Sequence, residues 1–254
     1  GVVAAQTIVE LPPDGKTIWV GTQSMIEINH LVYDNAKFKP SDFTVLMKGL
    51  EGPIGLVVNP NVPAKTFPEF IDWVKKNPGK LSFGSGGNGT PAHLAGELLK
   101  IRAGIQFTHI PFRGTGPAMT DLLGGQVDLL CDQTTQTVPM IKENRIKVYG
   151  VTTLKRLSAL PNVPTLDEQG LTGYEVMVWT SVLAPRGLPK PVQDRLAAAL
   201  WASLSDAELV AHFHKNGGVI ADRVEASPAG LEARVKAEVE KWGGILRRAG
   251  IQPE

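Results

Sequence analysis

Short apolar runs alternate with amphipathic segments along most of this chain. Apolar runs bounded by turn residues predict strands, whereas apolar residues three and four positions apart predict helices. The predicted strands cover residues 17–21, 54–58, 81–83, 107–111, 127–131, 146–152 and 174–183. The predicted helices cover 1–6, 67–76, 91–102, 116–123, 137–143 and 191–204, with further helices beginning near 205 and 227.

The regular alternation of strands and helices between residues 81 and 152 is typical of βαβ units. It predicts the α/β class with a mainly parallel sheet. Parallel sheets bind ligands at the loops that leave the carboxyl ends of their strands. Small polar loops follow three predicted strands, at 21–25, 112–115 and 132–135, and a glycine-rich loop follows a fourth at 84–90. We expect these loops to form the functional site.

Two apolar features are predicted to belong to the core. The single cysteine, Cys131, lies in an apolar strand, where a thiol most often packs as a small hydrophobic group. The last helix carries an apolar stripe at helical spacing. The stripe consists of Leu231, Val235, Val239, Trp242 and Leu246.

Composition argues against several functional classes. The 26 basic and 25 acidic residues leave a net charge of +1, so no excess charge is available to hold a nucleic acid or an anionic membrane. No apolar stretch approaches the roughly 18 residues expected of a membrane span. The first residues lack the features of a signal peptide. The chain also starts with a predicted helix that no strand precedes, so we expect the sequence to be shortened at its N-terminus.

The glycine-rich loop, residues 84–90, carries the strongest local signal. Its glycines allow sharp turns, and the following helix offers unpaired N–H groups and the positive end of its dipole. Ser85, Asn88 and Thr90 add neutral polar side chains. The loop is therefore predicted to bind a carboxylate or phosphate without a formal positive charge. The competing interpretation is an ordinary strand-to-helix turn.

The same loop matches the dinucleotide-binding pattern through Gly84, Gly86 and Gly89. The next strand ends near Arg113 and not in an acidic residue, which leaves only an NADP-dependent oxidoreductase as an alternative function. A P-loop and a nucleophile elbow are absent, and no metal-chelating histidine pair is present. We predict no metal, no other cofactor and no catalytic residues.

The motifs of this chain together resemble those of Bug-type receptors, the extracytoplasmic solute-binding proteins of tripartite tricarboxylate transporters. The glycine loop with the His-Leu-Ala-Gly-Glu helix after it, residues 84–97, carries the resemblance most clearly. The similarity continues through 111–118, 121–128, 160–165, 170–176 and 184–187 and into the closing segment, and covers essentially the whole chain.

The resemblance implies a two-lobe periplasmic-binding-protein fold of the Venus flytrap type. Lobe one is expected to contain residues 1–56 and 180–254, and lobe two residues 57–179. A small carboxylate, such as a dicarboxylate, an acidic amino acid or an aromatic acid, is expected in the cleft. The implied ligand-binding residues are Thr22, Gln23 and Ser24 from lobe one and Ser85, Gly86, Asn88, Gly89, Thr90 and Asp132 from lobe two. Met25, His93 and Arg113 are further candidates, although a capping role suits His93 better.

The resemblance also implies a non-enzymatic role in the periplasm. The expected protein is a secreted monomer that passes its ligand to the membrane permease subunits of a transporter. One departure stands out, because the strand, Pro-Gly-Gly loop, helix and second strand with which the family begins have no counterpart in this sequence. We expect that this N-terminal segment belongs to the protein but not to the sequence.

Overall fold

The computed structural model of this chain describes residues 1–251, which fall into two compact units. The first unit contains Gly1–Glu51, Trp179–Phe213 and the chain from Val219. The second contains Gly52–Val178 and His214–Gly218. The predicted lobe boundaries stay a prediction, because they concern which parts of the protein move together.

Helices and strands alternate through both units. The helices are α1 (Val2–Val9), α2 (Gln23–Glu27), α3 (Asn29–Val32), α4 (Phe67–Lys76), α5 (Pro91–Ala103), α6 (Thr115–Leu123), α7 (Thr134–Lys142), α8 (Lys190–Leu204), α9 (Ala207–Lys215), α10 (Arg223–Ala226) and α11 (Pro228–Arg248). The strands are β1 (Trp19–Thr22), β2 (Phe43–Val58), β3 (Ser82–Ser85), β4 (Thr108–Pro111), β5 (Leu129–Gln133), β6 (Lys147–Val151), β7 (Met177–Pro185) and β8 (Val219–Ile220).

The first unit is built on an antiparallel arrangement of strands. Strand β7 lies between β1 and β2, and β1 pairs with β7 in antiparallel register, with Trp19 opposite Leu183. Helix α11 packs on the sheet through its apolar stripe, in which every residue is buried except the partly buried Val239. The prediction that this stripe faces the core is confirmed.

In the second unit β3 pairs in parallel with β4 and β5, whereas β2 pairs antiparallel with β5 and β6. The prediction of a mainly parallel sheet is therefore wrong, although the α/β class is confirmed. The reason is that β2 lies between β5 and β6. These two strands are connected by a helix, as in a βαβ unit, but an antiparallel strand separates them.

The length of strand β2 was also underestimated, because the hydrophobic pattern predicts only its last five residues. Lys48 and Glu51 interrupt the apolar run, yet Lys48 is only 1% exposed. Its ammonium group forms ion pairs with Glu51 and with Glu225, the latter at 2.9 Å between Nζ and Oε2. A buried charge of this kind is tolerated because it is paired, and the pairing is invisible to a hydrophobic pattern.

Local sequence signals fix several helix ends as predicted. Helix α4 covers the predicted residues 67–76, and the Thr66 side chain accepts a hydrogen bond from the backbone N–H of Glu69 at its start. Helix α11 begins at Pro228 with Ser227 as its N-cap. Cys131 is buried, as predicted, and burial raises the pKa of its thiol. Among residues 1–251, no helix is both long enough and apolar enough to cross a bilayer.

Candidate functional site

The carboxyl ends of β3, β4 and β5 lie at one edge of the second unit's sheet, because β3 is parallel to both neighbours. Each strand leads into a helix at this edge, so that α5, α6 and α7 all begin there. The N-terminal turn of each helix offers backbone N–H groups that have no partner within the helix. Three helix N-termini at one edge create a region that favours negative charge.

Backbone hydrogen bonds join the loops at this edge. The N–H of Phe112 donates to the carbonyl of Ser85 over 2.9 Å, and the N–H of Gly114 donates to the carbonyl of Gly86 over 3.1 Å. Thr115 at the start of α6 lies 3.3 Å, oxygen to oxygen, from the side chain of Gln136 in α7. The loops that follow β3 and β4 are therefore in direct contact, and a side-chain contact links α6 to α7.

The glycine loop needs its glycines. Gly87 has a φ of +128° and Gly89 a φ of +69°, values that residues with a side chain rarely adopt. A β-carbon on Gly86 would lie 3.3 Å from the methyl group of Thr115. Thr90 ends the loop as the N-cap of α5, and its side chain accepts from the backbone N–H of His93. The loop is thus held in a tightly turned conformation against the start of α6.

A polar cluster formed by the buried Ser85 and His93 and the partly buried His109 contacts the loop. The hydroxyl of Ser85, a residue that is 1% exposed, contacts Nε2 of His109 at 2.7 Å and accepts from the N–H of Gly87 at 3.1 Å. His93 Nδ1 accepts from the N–H of Gly89 at 3.1 Å. The rings of His93 and His109 stack with centroids 4.1 Å apart. Ser85 and His93 are therefore engaged within the protein, and their contact with a ligand stays a prediction.

Asp132 lies at the end of β5, and the structure corrects the predicted loop 132–135. Strand β5 continues to Gln133, and α7 begins at the next residue, so Asp132 belongs to the strand. Its carboxyl group is buried, with one oxygen accepting from the N–H of Gln133 at 2.8 Å and the other unpaired among the described residues. Burial raises the pKa of Asp132 to about 6.

The remaining second-unit candidates differ in exposure. Gly86, Asn88 and Thr90 are partly exposed, whereas Gly89 is buried. Arg113 is exposed in the loop between β4 and α6. The glycine loop therefore offers backbone and neutral side-chain groups, and Arg113 precedes Gly114, whose N–H donates to the carbonyl of Gly86 in that loop.

The first-unit candidates do not form a loop as predicted. Thr22 is the last residue of β1, and α2 begins directly at Gln23. Gln23 and Ser24 are buried, Met25 is partly buried, and the hydroxyl oxygens of Thr22 and Ser24 lie 3.3 Å apart. A strand that passes straight into a helix leaves no intervening residues, which explains the error. The role of these four residues in ligand binding stays a prediction.

Sequence reasoning missed His109, whose importance depends on a contact with a residue 24 positions away. The available signal was that side chains alternate between the two faces of a strand, which places positions 107 and 109 on the same face. Both side chains contact the ring of Phe83, with centroids 5.2 Å and 5.4 Å apart. Within residues 1–251, no group of three or more His, Cys, Asp or Glu side chains is arranged to hold a metal ion.

Comparison with known proteins gives consistent matches over nearly the whole chain. The protein family described as "Tripartite tricarboxylate transporter family receptor" matches residues 1–251 of this chain. A UPF0065 protein of Agrobacterium vitis is 37% identical over 251 residues, which are 98% of this chain and 72% of the relative.

Two solved structures have the same fold. The periplasmic binding protein BugD matches with a TM-score of 0.90 and 34% identity, over 100% of this chain and 84% of BugD. The R. palustris protein Rpa4515, solved with adipate, matches with a TM-score of 0.92 and 30% identity, over the same shares of the two chains. The resemblance to Bug-type receptors and the periplasmic-binding-protein fold are confirmed.

Proposed function

This chain belongs to the tripartite tricarboxylate transporter receptor family, and from that premise we propose that it is a periplasmic receptor that captures a small carboxylate. It would pass the ligand to the membrane permease subunits of a transporter. It would act as a monomer and without a catalytic step. The chain is a solute-binding receptor by family, and the matches that support this membership cover it almost completely.

The observation that carries the proposal is the edge of the second unit's sheet at which α5, α6 and α7 begin. A carboxylate placed at this edge would accept hydrogen bonds from backbone N–H groups and would be favoured by three helix dipoles. The glycine loop keeps side-chain bulk away from the ligand. Such a site binds an anion without an ion pair, which suits a receptor that must later release its ligand.

The proposed contacts in this unit are the residues of the glycine loop and its neighbours at the same edge. They are Ser85, Gly86, Asn88, Gly89, Thr90 and Asp132, with His93 and Arg113 as further candidates. The ligand class follows from the anion-binding character of this edge and from Rpa4515, which was solved with adipate. Dicarboxylates, acidic amino acids and aromatic acids are therefore the ligands to test.

A thermal-shift screen tests the proposal. The protein is heated with aliphatic dicarboxylates of four to six carbons, aspartate, glutamate and nicotinate, and with the diamides of the same dicarboxylates as matched uncharged controls. A ligand present at a hundred times its dissociation constant should stabilise the protein by about 2.7 kcal/mol. We expect one carboxylate class to raise the melting temperature and its diamides to leave it unchanged.

The alternative function is examined in the same screen. The glycine pattern of Gly84, Gly86 and Gly89, with Arg113 after the next strand, favours an NADP-dependent oxidoreductase as the alternative. Stabilisation by NADPH alone, with no effect of any carboxylate, would replace the receptor proposal by this one. Equal stabilisation by the carboxylates and their diamides would contradict anion recognition.

A further inference from the structure

We infer that His109 and His93 are positioning residues, which hold the glycine loop from behind in the conformation that binds a carboxylate, and that they do so as an uncharged pair. The inference rests on the proposed function of this loop. His93 is buried in the second unit and His109 is partly buried, and the support proposed for the loop does not require either ring to touch the ligand.

His109 acts on the first half of the loop through Ser85. Its Nε2 lies 2.7 Å from the hydroxyl oxygen, and the same oxygen accepts from the N–H of Gly87 at 3.1 Å and lies 3.1 Å from the carbonyl of Gly87. A serine hydroxyl has one hydrogen, so its orientation is set by the strongest of these contacts. The ring of His109 therefore fixes the hydroxyl that closes the first turn of the loop.

His93 acts on the second half. Its Nδ1 accepts from the N–H of Gly89 at 3.1 Å, and its own backbone N–H donates to the side chain of Thr90 at 3.4 Å. Glycine reaches the φ of +69° that Gly89 adopts about as readily as negative values, so the bond to His93 selects one of several accessible conformations of this residue. The nearly parallel rings of His93 and His109, inclined by only 10°, connect the supports of the two halves.

The contact of His93 with the loop requires a neutral ring, and the stacking of the two rings disfavours charge on both. The N–H of Gly89 is a donor, so Nδ1 of His93 must keep its lone pair, and protonation at this atom would set two N–H groups against each other. Two imidazolium rings with centroids 4.1 Å apart would also repel each other. Charging the pair would therefore weaken the support of the loop.

The surroundings keep the pair uncharged. Phe83 and Phe107 supply apolar neighbours, and the titratable groups that face the pair are Glu97 and Lys100, which form an ion pair with each other at 2.7 Å. Nε2 of His93 lies 3.8 Å from the Glu97 carboxylate. Burial, followed by the nearby Lys100, lowers the pKa of His93 to about 4. Burial, His93 and Lys100 likewise lower the pKa of His109 to about 4, with Glu97 acting in the opposite direction.

The test uses the carboxylate that gives the largest thermal shift in the screen and measures its dissociation constant by calorimetry. His109→Met keeps the volume but removes the contact to Ser85, and should weaken binding by about tenfold, as expected for the loss of one hydrogen bond. His109→Gln places an amide near the position of Nε2 and should restore affinity to within about threefold. His214→Met, at an exposed position of the same unit, is the matched control and should bind like the wild type.

The pH dependence separates positioning from a purely structural role. We expect the wild type to lose affinity as the pH falls below about 5, towards the pKa of the pair, while His109→Gln shows a smaller loss. A folded His109→Met protein that binds as tightly as the wild type would overturn the inference. A wild type that binds no carboxylate would instead contradict the proposed function itself.

Should His109→Met not fold, the wild type alone decides the question. The imidazole nitrogen resonances of His93 and His109 can be followed by NMR between pH 4 and 8 with and without the carboxylate. Neutral rings down to pH 5 that change chemical shift when the ligand is added support the inference. A midpoint near the ordinary value of about 6.5, or resonances that ignore the ligand, would overturn it.

Discussion

Each unit buries a cluster of polar side chains, and the two clusters are organised differently. In the second unit Ser85, His93 and His109 contact one another or the glycine loop. In the first unit the α2 residue Glu27 is completely buried, and both of its carboxyl oxygens lack a hydrogen-bond partner among residues 1–251. Its charged neighbours lie on α11, where Arg234 approaches Glu238 at 3.0 Å.

The two clusters therefore respond to pH in opposite directions. Burial, followed by the charge of Glu238, raises the pKa of Glu27 to about 9, so this acid is protonated at neutral pH. Burial lowers the pKa of His93 and of His109 to about 4. The histidine pair costs stability as the pH falls from about 6.5 towards 4, whereas Glu27 costs stability as the pH rises above about 4.5. Both clusters are held uncharged by burial, but the second is hydrogen-bonded to the glycine loop proposed to bind the ligand, whereas the Glu27 carboxyl group has no hydrogen-bond partner among residues 1–251.

The largest expected effect is on stability in the first unit. In the native state the pKa of Glu27 lies above its unfolded value of about 4.5, so its contribution to stability is complete below pH 4.5 and is lost as the pH rises towards 9. Glu27→Gln removes this loss and should raise the free energy of unfolding by about 5 kcal/mol at pH 8 and by little at pH 4. Urea denaturation at the two pH values measures the change.

Glu240→Gln is the matched control, because Glu240 is exposed on α11. It should leave the free energy of unfolding unchanged at both pH values. A Glu27→Gln protein that gains no stability at pH 8 would show that the acid has partners which the described contacts do not include. Binding of a carboxylate should be the same in both variants.

Asp132 should give the next largest effect on stability. It is a buried acid like Glu27, but it lies in the second unit together with the histidine pair. Burial raises the pKa of this acid from about 3.8 to about 6, so its contribution to stability is complete below pH 3.8 and is lost as the pH rises through 6. Asp132→Asn should therefore raise the free energy of unfolding by about 3 kcal/mol at pH 8. Denaturation of the variant and the wild type at pH 8 and pH 4 measures it.

The same substitution tests whether the carboxyl group of Asp132 lies close to the bound ligand. A negative charge beside the ligand opposes binding of an anion, so the wild type should bind a carboxylate more tightly at pH 5.5 than at pH 7.5. Asp132→Asn should bind with nearly the same affinity at both values. An identical pH dependence in the two proteins between 5.5 and 7.5 would place this carboxyl group away from the ligand.

The smallest effect is expected from substitutions at two helix N-caps in the second unit. Thr66 caps α4 and Thr90 caps α5, each through a bond from the backbone N–H three residues later. Changing either threonine to alanine should lower the free energy of unfolding by about 1 kcal/mol. Only Thr90→Ala should also weaken carboxylate binding, because the Thr90 hydroxyl donates to the carbonyl of Gly87 within the loop. Equal affinities in the two variants would contradict this assignment.

Sequence reasoning succeeded where local signals determine the structure. The ends of α4 and α11 follow from a capping residue and a proline at the first turn, which act within a few positions of the chain. The glycine loop was identified for a similar reason. Its turned conformation depends on residues that tolerate a positive φ.

The structural features that could not be predicted depend on contacts between residues far apart in the sequence. Lys48 lies inside β2 because its charge is paired with Glu225, which is 177 positions away. The contact of His109 with Ser85 likewise depends on the parallel pairing of β3 and β4. The insertion of β2 between β5 and β6 is a property of the whole sheet, and no periodicity within one segment encodes it.

Binding of a carboxylate by the glycine loop is tested most directly by calorimetric titration of one carboxylate into the wild type and two glycine variants. Gly89→Val and Gly79→Val each place a β-branched residue at a positive φ, +69° and +72°, but Gly79 lies at the opposite end of β3 and has no neighbour within 4 Å of an added β-carbon. We expect one ligand bound per chain in the wild type and in Gly79→Val, and affinity at least about tenfold weaker in Gly89→Val. Equal affinity in all three proteins would contradict it.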